Sequence, residues 1–388
     1  MLQRIVNDTS LSAISAGFIA VLVGFASATA IVFQAAIAAG ANQAQIESWI
    51  WALGLGMGLS TLGLSLWYKR PIIIAWSTPG AALIATSLVD GDIGVSVGTF
   101  VFVGLLTLVV GITGLFNKIV QLIPVPLAAA MLAGILVQFG IDIFVSLKAM
   151  PFLVICMLIT YVITKNVLPR YTIPVVLIVG IVICGLTDTL QFNQLSFEFA
   201  QPVWVTPTFT MASIIGIGIP LFIVTMTSQN LPGVAILKSS GYQQQPVSPV
   251  ISTTGITTAI LAPFGGFTFN LAAITAAICT SDESHPDPKK RYIAGVSVGV
   301  FNILAGLFGT AVVSLFAAFP QAFVASLAGL ALLSTIANSL QTALASGSQK
   351  DAAIITFLFT ASGISFFCIS SAFWGILLGL VWVHAKIK

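Results

Sequence analysis

At 388 residues, with 58% hydrophobic and 6% charged side chains, the chain carries far too little charge for a soluble domain, where charged residues make up about 25%. Its net charge of +3 reflects membrane topology and says nothing about nucleic acid. The apolar tracts are long and unbroken rather than alternating with period two, which selects an all-α polytopic membrane protein over a barrel.

Residues 1–10 are polar, and the apolar tract that follows is about 28 residues long, against roughly 7–15 for a signal-peptide core, so the first helix is expected to stay. Further spans of about 20 residues fall at 46–67, 94–115, 121–145, 150–168, 172–188, 208–230, 246–262, 291–318, 320–345, 351–367 and 369–385, after the first at 11–38. Cys156, Cys184, Cys279 and Cys368 all lie in apolar tracts without metal-type spacing, as small buried side chains do.

Two apolar stretches break the helical pattern. Pro263 to Ala273 starts with a proline, a paired glycine and three aromatics, and reads as extended backbone that becomes a helix near Asn270. Arg70 to Leu83 reads likewise, with a helix from Pro79 to about Val89. At an offset of 191 residues, Trp76 aligns with Phe267, Ser77 with Thr268 and Pro79 with Asn270. Counting the breaks at 70–90 and 264–279 as crossings makes fourteen segments, with broken half-helices at the third and tenth.

Charge placement tests that count. With the N-terminus inside, thirteen of the fourteen Lys and Arg residues fall on the inner side and only Lys148 outside; removing either broken segment spoils the split. Both termini are therefore expected in the cytoplasm. The loop from Thr189 to Pro207 carries no Lys or Arg and divides the chain into two halves of seven spans, the arrangement of a 7+7 inverted repeat. Gly54 with Gly58, Gly295 with Gly299, and Gly375 with Gly379 are G-x-x-x-G pairs that suit close helix packing. In the first span Gly17, Ala20, Val21, Gly24, Ser27, Ala28 and Ile31 share one face.

Half-helix N-termini at the midplane present unpaired N–H groups and about half a positive charge each. Two facing ones would offset one carboxylate without any Arg or Lys, and none can be placed mid-membrane. Asp and Glu also stay at predicted ends or in loops. The supply of neutral hydrogen-bonding groups is Thr225, Thr227, Ser228, Gln229 and Asn230, followed by Pro232 and Gly233, which mark a kink or unwinding. These amides would serve either a ligand or neighbouring helices. Trp76, Phe264, Phe267 and Phe269 flank the breaks and offer aromatic faces. His285 and His384 sit in a loop and near a helix end. No zinc-protease or nucleophile-elbow motif is present, so an enzyme is not expected.

The chain resembles the benzoate:proton symporter family. The resemblance is carried by Ala75-Trp76-Ser77-Thr78-Pro79-Gly80, Thr227-Ser228-Gln229-Asn230-Leu231-Pro232-Gly233, Pro263-Phe264-Gly265-Gly266-Phe267-Thr268-Phe269-Asn270 and Ser281-Asp282-Glu283-Ser284-His285-Pro286-Asp287. Essentially the whole chain is covered, and uracil, nucleobase and sulfate permeases are more distantly similar. That kinship implies a core domain (1–116 and 208–318) and a gate domain (117–188 and 319–388), with an extracytoplasmic loop at 189–207. In the nucleobase branch the substrate is held by acidic residues, and the matching positions here are the neutral Gln229 and Asn270. The expectation is import of benzoate or a related aromatic carboxylate with a proton as coupling ion, by alternating access, in the bacterial inner membrane. A nucleobase permease and a channel-like anion conductor are the alternatives. Expected substrate-binding residues are Ser27, Trp76, Ser77, Thr78, Thr225, Ser228, Gln229, Asn230, Phe264, Phe267, Thr268, Phe269 and Asn270. No metal or other cofactor is expected. The expected partners are the substrate and the lipid bilayer, without nucleic acid and with a homodimer left open.

Overall fold

The computed structural model describes residues 7–87, 91–116, 118–119, 123–168, 171–190, 198–242, 246–345, 347–367 and 369–385, with the side chains of Ser27 and Ser348 outside the description. The chain folds as a helical bundle around one short strand pair. In order it forms α1 (Leu11–Ala38), α2 (Gln43–Tyr68), β1 (Ile74–Trp76), α3 (Thr78–Ser87), α4 (Ile93–Thr113), α5 (Val125–Ser146), α6 (Pro151–Val167) and α7 (Thr172–Leu186). Then come α8 (Met211–Ser239), α9 (Val247–Leu261), β2 (Phe269–Leu271), α10 (Ile274–Thr280), α11 (Tyr292–Leu307), α12 (Gly309–Ala317), α13 (Gln321–Leu344), α14 (Lys350–Ala361) and α15 (Ser371–Ala385). Among the described residues, six unbent helices are long and apolar enough to cross a membrane: α2, α4, α5, α8, α9 with its 3-10 extension to Phe264, and α13.

Local chemistry fixes the ends. Ser10 caps α1, Asn42 and Gln45 form a capping box on α2, and Asp92 Oδ1 accepts the Gly94 N–H at 2.7 Å to start α4. Prolines open α5 and α6, where the missing N–H costs nothing. Three expected spans differ from the structure. The tract at 291–318 is two helices bent by 64°. The helix expected to end at 230 runs on to Ser239, because π-turns at Ile214–Gly218 and Met226–Asn230 absorb Pro220 and Pro232. In each, the residue just before the proline donates its N–H five residues back, Ile219 to Ile214 O and Leu231 to Met226 O. The tract at 351–367 is helical only to Ala361.

The main helix pairings are α5 with α13, α4 with α9, and α2 with α11. Glycines permit the last two. A Cβ on Gly104 would sit 2.6 Å from Ala259 N, and one on Gly58 would sit 2.7 Å from Gly299 O. On α15, Gly375 and Gly379 face Thr360 and Thr356 of α14, whose buried hydroxyl oxygens have no conventional partner. They lie against the glycine backbones.

At one end of the bundle, Asp8, Lys69, Arg70, Lys289 and Tyr292 converge on a common cavity, and Lys290 pairs with Asp8 at 3.8 Å. Four cations that the sequence expects on one membrane side, Lys69, Arg70, Lys289 and Lys290, lie together there.

Candidate functional site

The two breaks meet. β1 and β2 pair antiparallel with Trp76 opposite Phe269, Ala75 opposite Asn270 and Ile74 opposite Leu271. A two-stranded ribbon inside an apolar bundle must satisfy its outward N–H groups, since an unpaired one is costly there. Side chains of the flanking helices do this. From α2, Thr61 Oγ1 accepts the Ile74 N–H at 2.9 Å and Met57 Sδ the Trp76 N–H at 3.2 Å. Across the ribbon, Thr258 Oγ1 accepts the Phe269 N–H at 3.1 Å and Asn230 Oδ1 the Leu271 N–H at 2.9 Å.

The element bounds, not the pairing register, correct the sequence alignment. Strand β2 runs through Asn270, and the second half-helix begins at Ile274, four residues later than expected. Asn270 is therefore a strand residue, fully buried, and both polar atoms of its amide lack a partner. The neighbouring Thr268 hydroxyl is likewise buried and unpartnered.

A cavity of about 230 Å³ lies where α1, α8, α11, α13, the ribbon and both half-helices approach. It is just below the roughly 300–1,000 Å³ of drug-sized ligand sites, a size suited to a single-ring molecule. Of the expected residues it is lined by Trp76, Thr78, Ser228 and Gln229. No charged side chain lines it among the described residues. The Trp76 indole packs edge-on against Phe25, with ring centroids 4.9 Å apart and planes at 65°. The first residues of α10, from Ala273 to Thr275, form another wall, and no side chain caps that helix.

The remaining expected residues lie outside the cavity lining. Ser77 caps α3, accepting the Gly80 N–H at 3.1 Å, and the same Oγ accepts the Thr225 hydroxyl at 3.1 Å. Ser77 thus caps α3, whereas no side chain caps α10. Asn230 holds β2, as above. Phe267 is buried against Trp49 and Phe100, Phe264 packs against Trp51 and Trp204, and Phe269 fills the space beside Gly56. The side chain of Ser27 lies outside the described residues.

Sequence reasoning missed Phe25, Thr275, Asn302 and Thr335, which also line the cavity. Phe25 follows Val21 by one helical turn, and Val21 was on the chosen face of α1. Asn302 is an amide within the apolar α11, a usable signal, and Thr335 belongs to a polar stretch of α13. Ser228 and Thr335 also border a second cavity of about 390 Å³. Its α13 wall carries Thr335, Asn338, Ser339 and Thr342 at helical spacing, and its α5 wall is Val125, Ala128, Ala129 and Leu132.

Comparison with known proteins follows the same line. The chain is 48% identical over 364 residues to "Inner membrane protein YdcO" of Escherichia coli (strain K12), covering 94% of this chain and 93% of that protein. It is 39% identical over 381 residues to the "Benzoate membrane transport protein" of Acinetobacter baylyi (strain ATCC 33305 / BD413 / ADP1), covering 98% and 96%. Among solved structures, the transmembrane domain of the cyanobacterial bicarbonate transporter BicA superposes with a TM-score of 0.59 at 16% identity, covering 96% of this chain and 97% of that one. Murine Slc26a9, titled an anion transporter in the inward-facing state, gives 0.60 at 12%, covering 97% and 68%. These likenesses establish a shared fold. Residues 7–385 match the family described as benzoate membrane transport protein, and the chain belongs to that family.

Proposed function

We propose that the protein imports benzoate or a related small aromatic carboxylate together with a proton, by alternating access, across the bacterial inner membrane. The observation that carries this reading is the central cavity: small, flanked by an aromatic pair, lined by neutral hydrogen-bonding groups and walled by an uncapped helix N-terminus. In this reading the ring packs between Trp76 and Phe25. The carboxylate accepts hydrogen bonds from Gln229 and from N–H groups of the first turn of α10. Among the described residues no acidic side chain lines the cavity, which fits an anion that a carboxylate there would repel. The relative named as a benzoate transporter supports the substrate class.

The architecture proposed is fourteen segments in a 7+7 inverted repeat, counting α11 with α12 as one bent crossing. Support comes from the packing. A shift of seven segments turns the α2–α11 pair into the α9–α4 pair, and leaves the β1–β2 and α5–α13 pairs in place. Core and gate domains then meet at the cavity, and the second cavity, with one hydroxyl-rich and one apolar wall, leads from Ser228 toward the end of α5 nearest Lys118. That end is proposed as cytoplasmic.

Labelled benzoate uptake into proteoliposomes, with and without an inward proton gradient, tests this function. Saturable uptake accelerated by the gradient is expected. Uptake indifferent to the gradient removes the symport, and unsaturable current removes the carrier.

A further inference from the structure

The two half-helices end differently. At the C-terminal end of α10 the buried Arg291 donates from Nη1 to Thr280 O at 2.6 Å and from Nε to His285 O at 2.8 Å, and pairs through Nη2 with Asp282. A fixed cation thus meets the negative end of that helix. At the C-terminal end of α3 the facing group is a carboxylate. Thr86 and Ser87 border a cavity of about 290 Å³ whose opposite wall, on α5, presents Gln138 and Asp142. Gln138 Nε2 donates to Asp142 Oδ1 at 2.9 Å, and Gln34 of α1 and Ser371 of α15 add further polar groups. Asp142 lies near the C-terminus of its own helix, so two negative helix ends and one carboxylate converge.

No described cation answers them. Asp142 also borders the adjoining cavity formed with α1, α12 and α13. The faces that α1, α3, α12, α13, α14 and α15 turn to these two cavities carry no titratable side chain among the described residues. Lys148 is the next charge along the chain and is exposed, while Asp90 lies outside the described residues.

We propose that Asp142 is the group that takes up the coupling proton. A carboxylate oxygen of Asp142 takes a proton from a hydronium ion that reaches the cavity, which leaves as water, and the resulting neutral acid donates its O–H to an oxygen of the opposing wall. That step removes the repulsion between α5 and the end of α3, and draws α1 and α3 toward α5, α14 and α15. The other end of α3 borders the central cavity at Thr78, and the helix is ten residues long. One rod therefore links the proton site to the substrate site. The coupling to substrate rests on the proposed transport function; the protonation step does not.

The test labels Thr86→Cys with a small thiol reagent, in a background whose native cysteines are replaced, without benzoate. Ser362→Cys on the opposite wall serves as a second reporter. Acidification is expected to slow labelling several-fold in the parent, Asp142→Asn to leave it slow at every pH, and Asp142→Glu to restore the pH response. A pH response in Asp142→Asn equal to the parent's, or protection by sodium ions in place of acid, overturns the proposal. Uptake is read in parallel: Asp142→Asn should equilibrate benzoate but lose gradient acceleration. A full gradient response in that variant refutes the proposal. No benzoate uptake by the parent, with pH-dependent labelling intact, refutes the transport reading alone.

Discussion

The Leu271 N–H donates to Asn230 Oδ1 at 2.9 Å, so the adjacent amides Gln229 and Asn230 serve different masters: Asn230 holds the ribbon, and Gln229 borders the central cavity. Both lie in the π-turn Met226–Asn230.

Gln229→Ala is expected to lower benzoate affinity, measured by titration in detergent, by about tenfold, the equivalent of a net hydrogen bond of about 1.4 kcal/mol, with thermal stability nearly unchanged. Asn230→Leu leaves the Leu271 N–H buried without an acceptor and should cost about 1–3 kcal/mol of stability. Equal effects of the two variants on stability would contradict the division of roles.

Asn270→Leu makes the opposite stability prediction. The native amide is fully buried and both its polar atoms lack partners, so an apolar side chain of similar size removes a desolvation cost and breaks no hydrogen bond. Thermal unfolding in detergent is expected to shift upward or stay level. A loss comparable to that of Asn230→Leu would show that the amide is engaged.

Tyr242, in the loop between α8 and α9, donates its hydroxyl to Pro288 O at 2.8 Å. Burial pushes its phenol up to about 12, against the partial relief of Arg291 and Arg70. The folded state thus binds the phenol proton more tightly than the unfolded chain, whose tyrosines titrate near ~10. The stability from the neutral phenol is complete below that value and is lost as pH climbs toward about 12. Tyr242→Phe should show a lower melting temperature at neutral pH and a shallower decline in the alkaline range.

Much of the site's placement was legible because breaks in apolar sequence are rare and costly. Pro79, Gly265 and Gly266 cannot sit in an uninterrupted span without consequence. Pro79 also set the start of α3 well, since proline favours the first turn of a helix. The second half-helix has no such marker, and matching side chains placed its start at Asn270. Strand pairing with β1 is a contact nearly 200 residues away and leaves no local trace. The polar run from Thr225 to Asn230 does not show which of its side chains face the cavity, because a π-turn at Met226–Asn230 replaces the uniform 3.6-residue turn. The sequence places Phe264, Phe267 and Phe269 beside the break and shows nothing of the rings they meet. The packing of Phe267 against Trp49 and Phe100, and of Phe264 against Trp51 and Trp204, depends on α2, α4 and the segment before α8 arriving there.

A structure of the protein with bound benzoate tests the central claim most directly. The account predicts ring density beside Trp76 and Phe25, and carboxylate density within hydrogen-bonding distance of Gln229 and the first turn of α10. Benzoate bound in another cavity, or with its carboxylate turned away from α10, would contradict it.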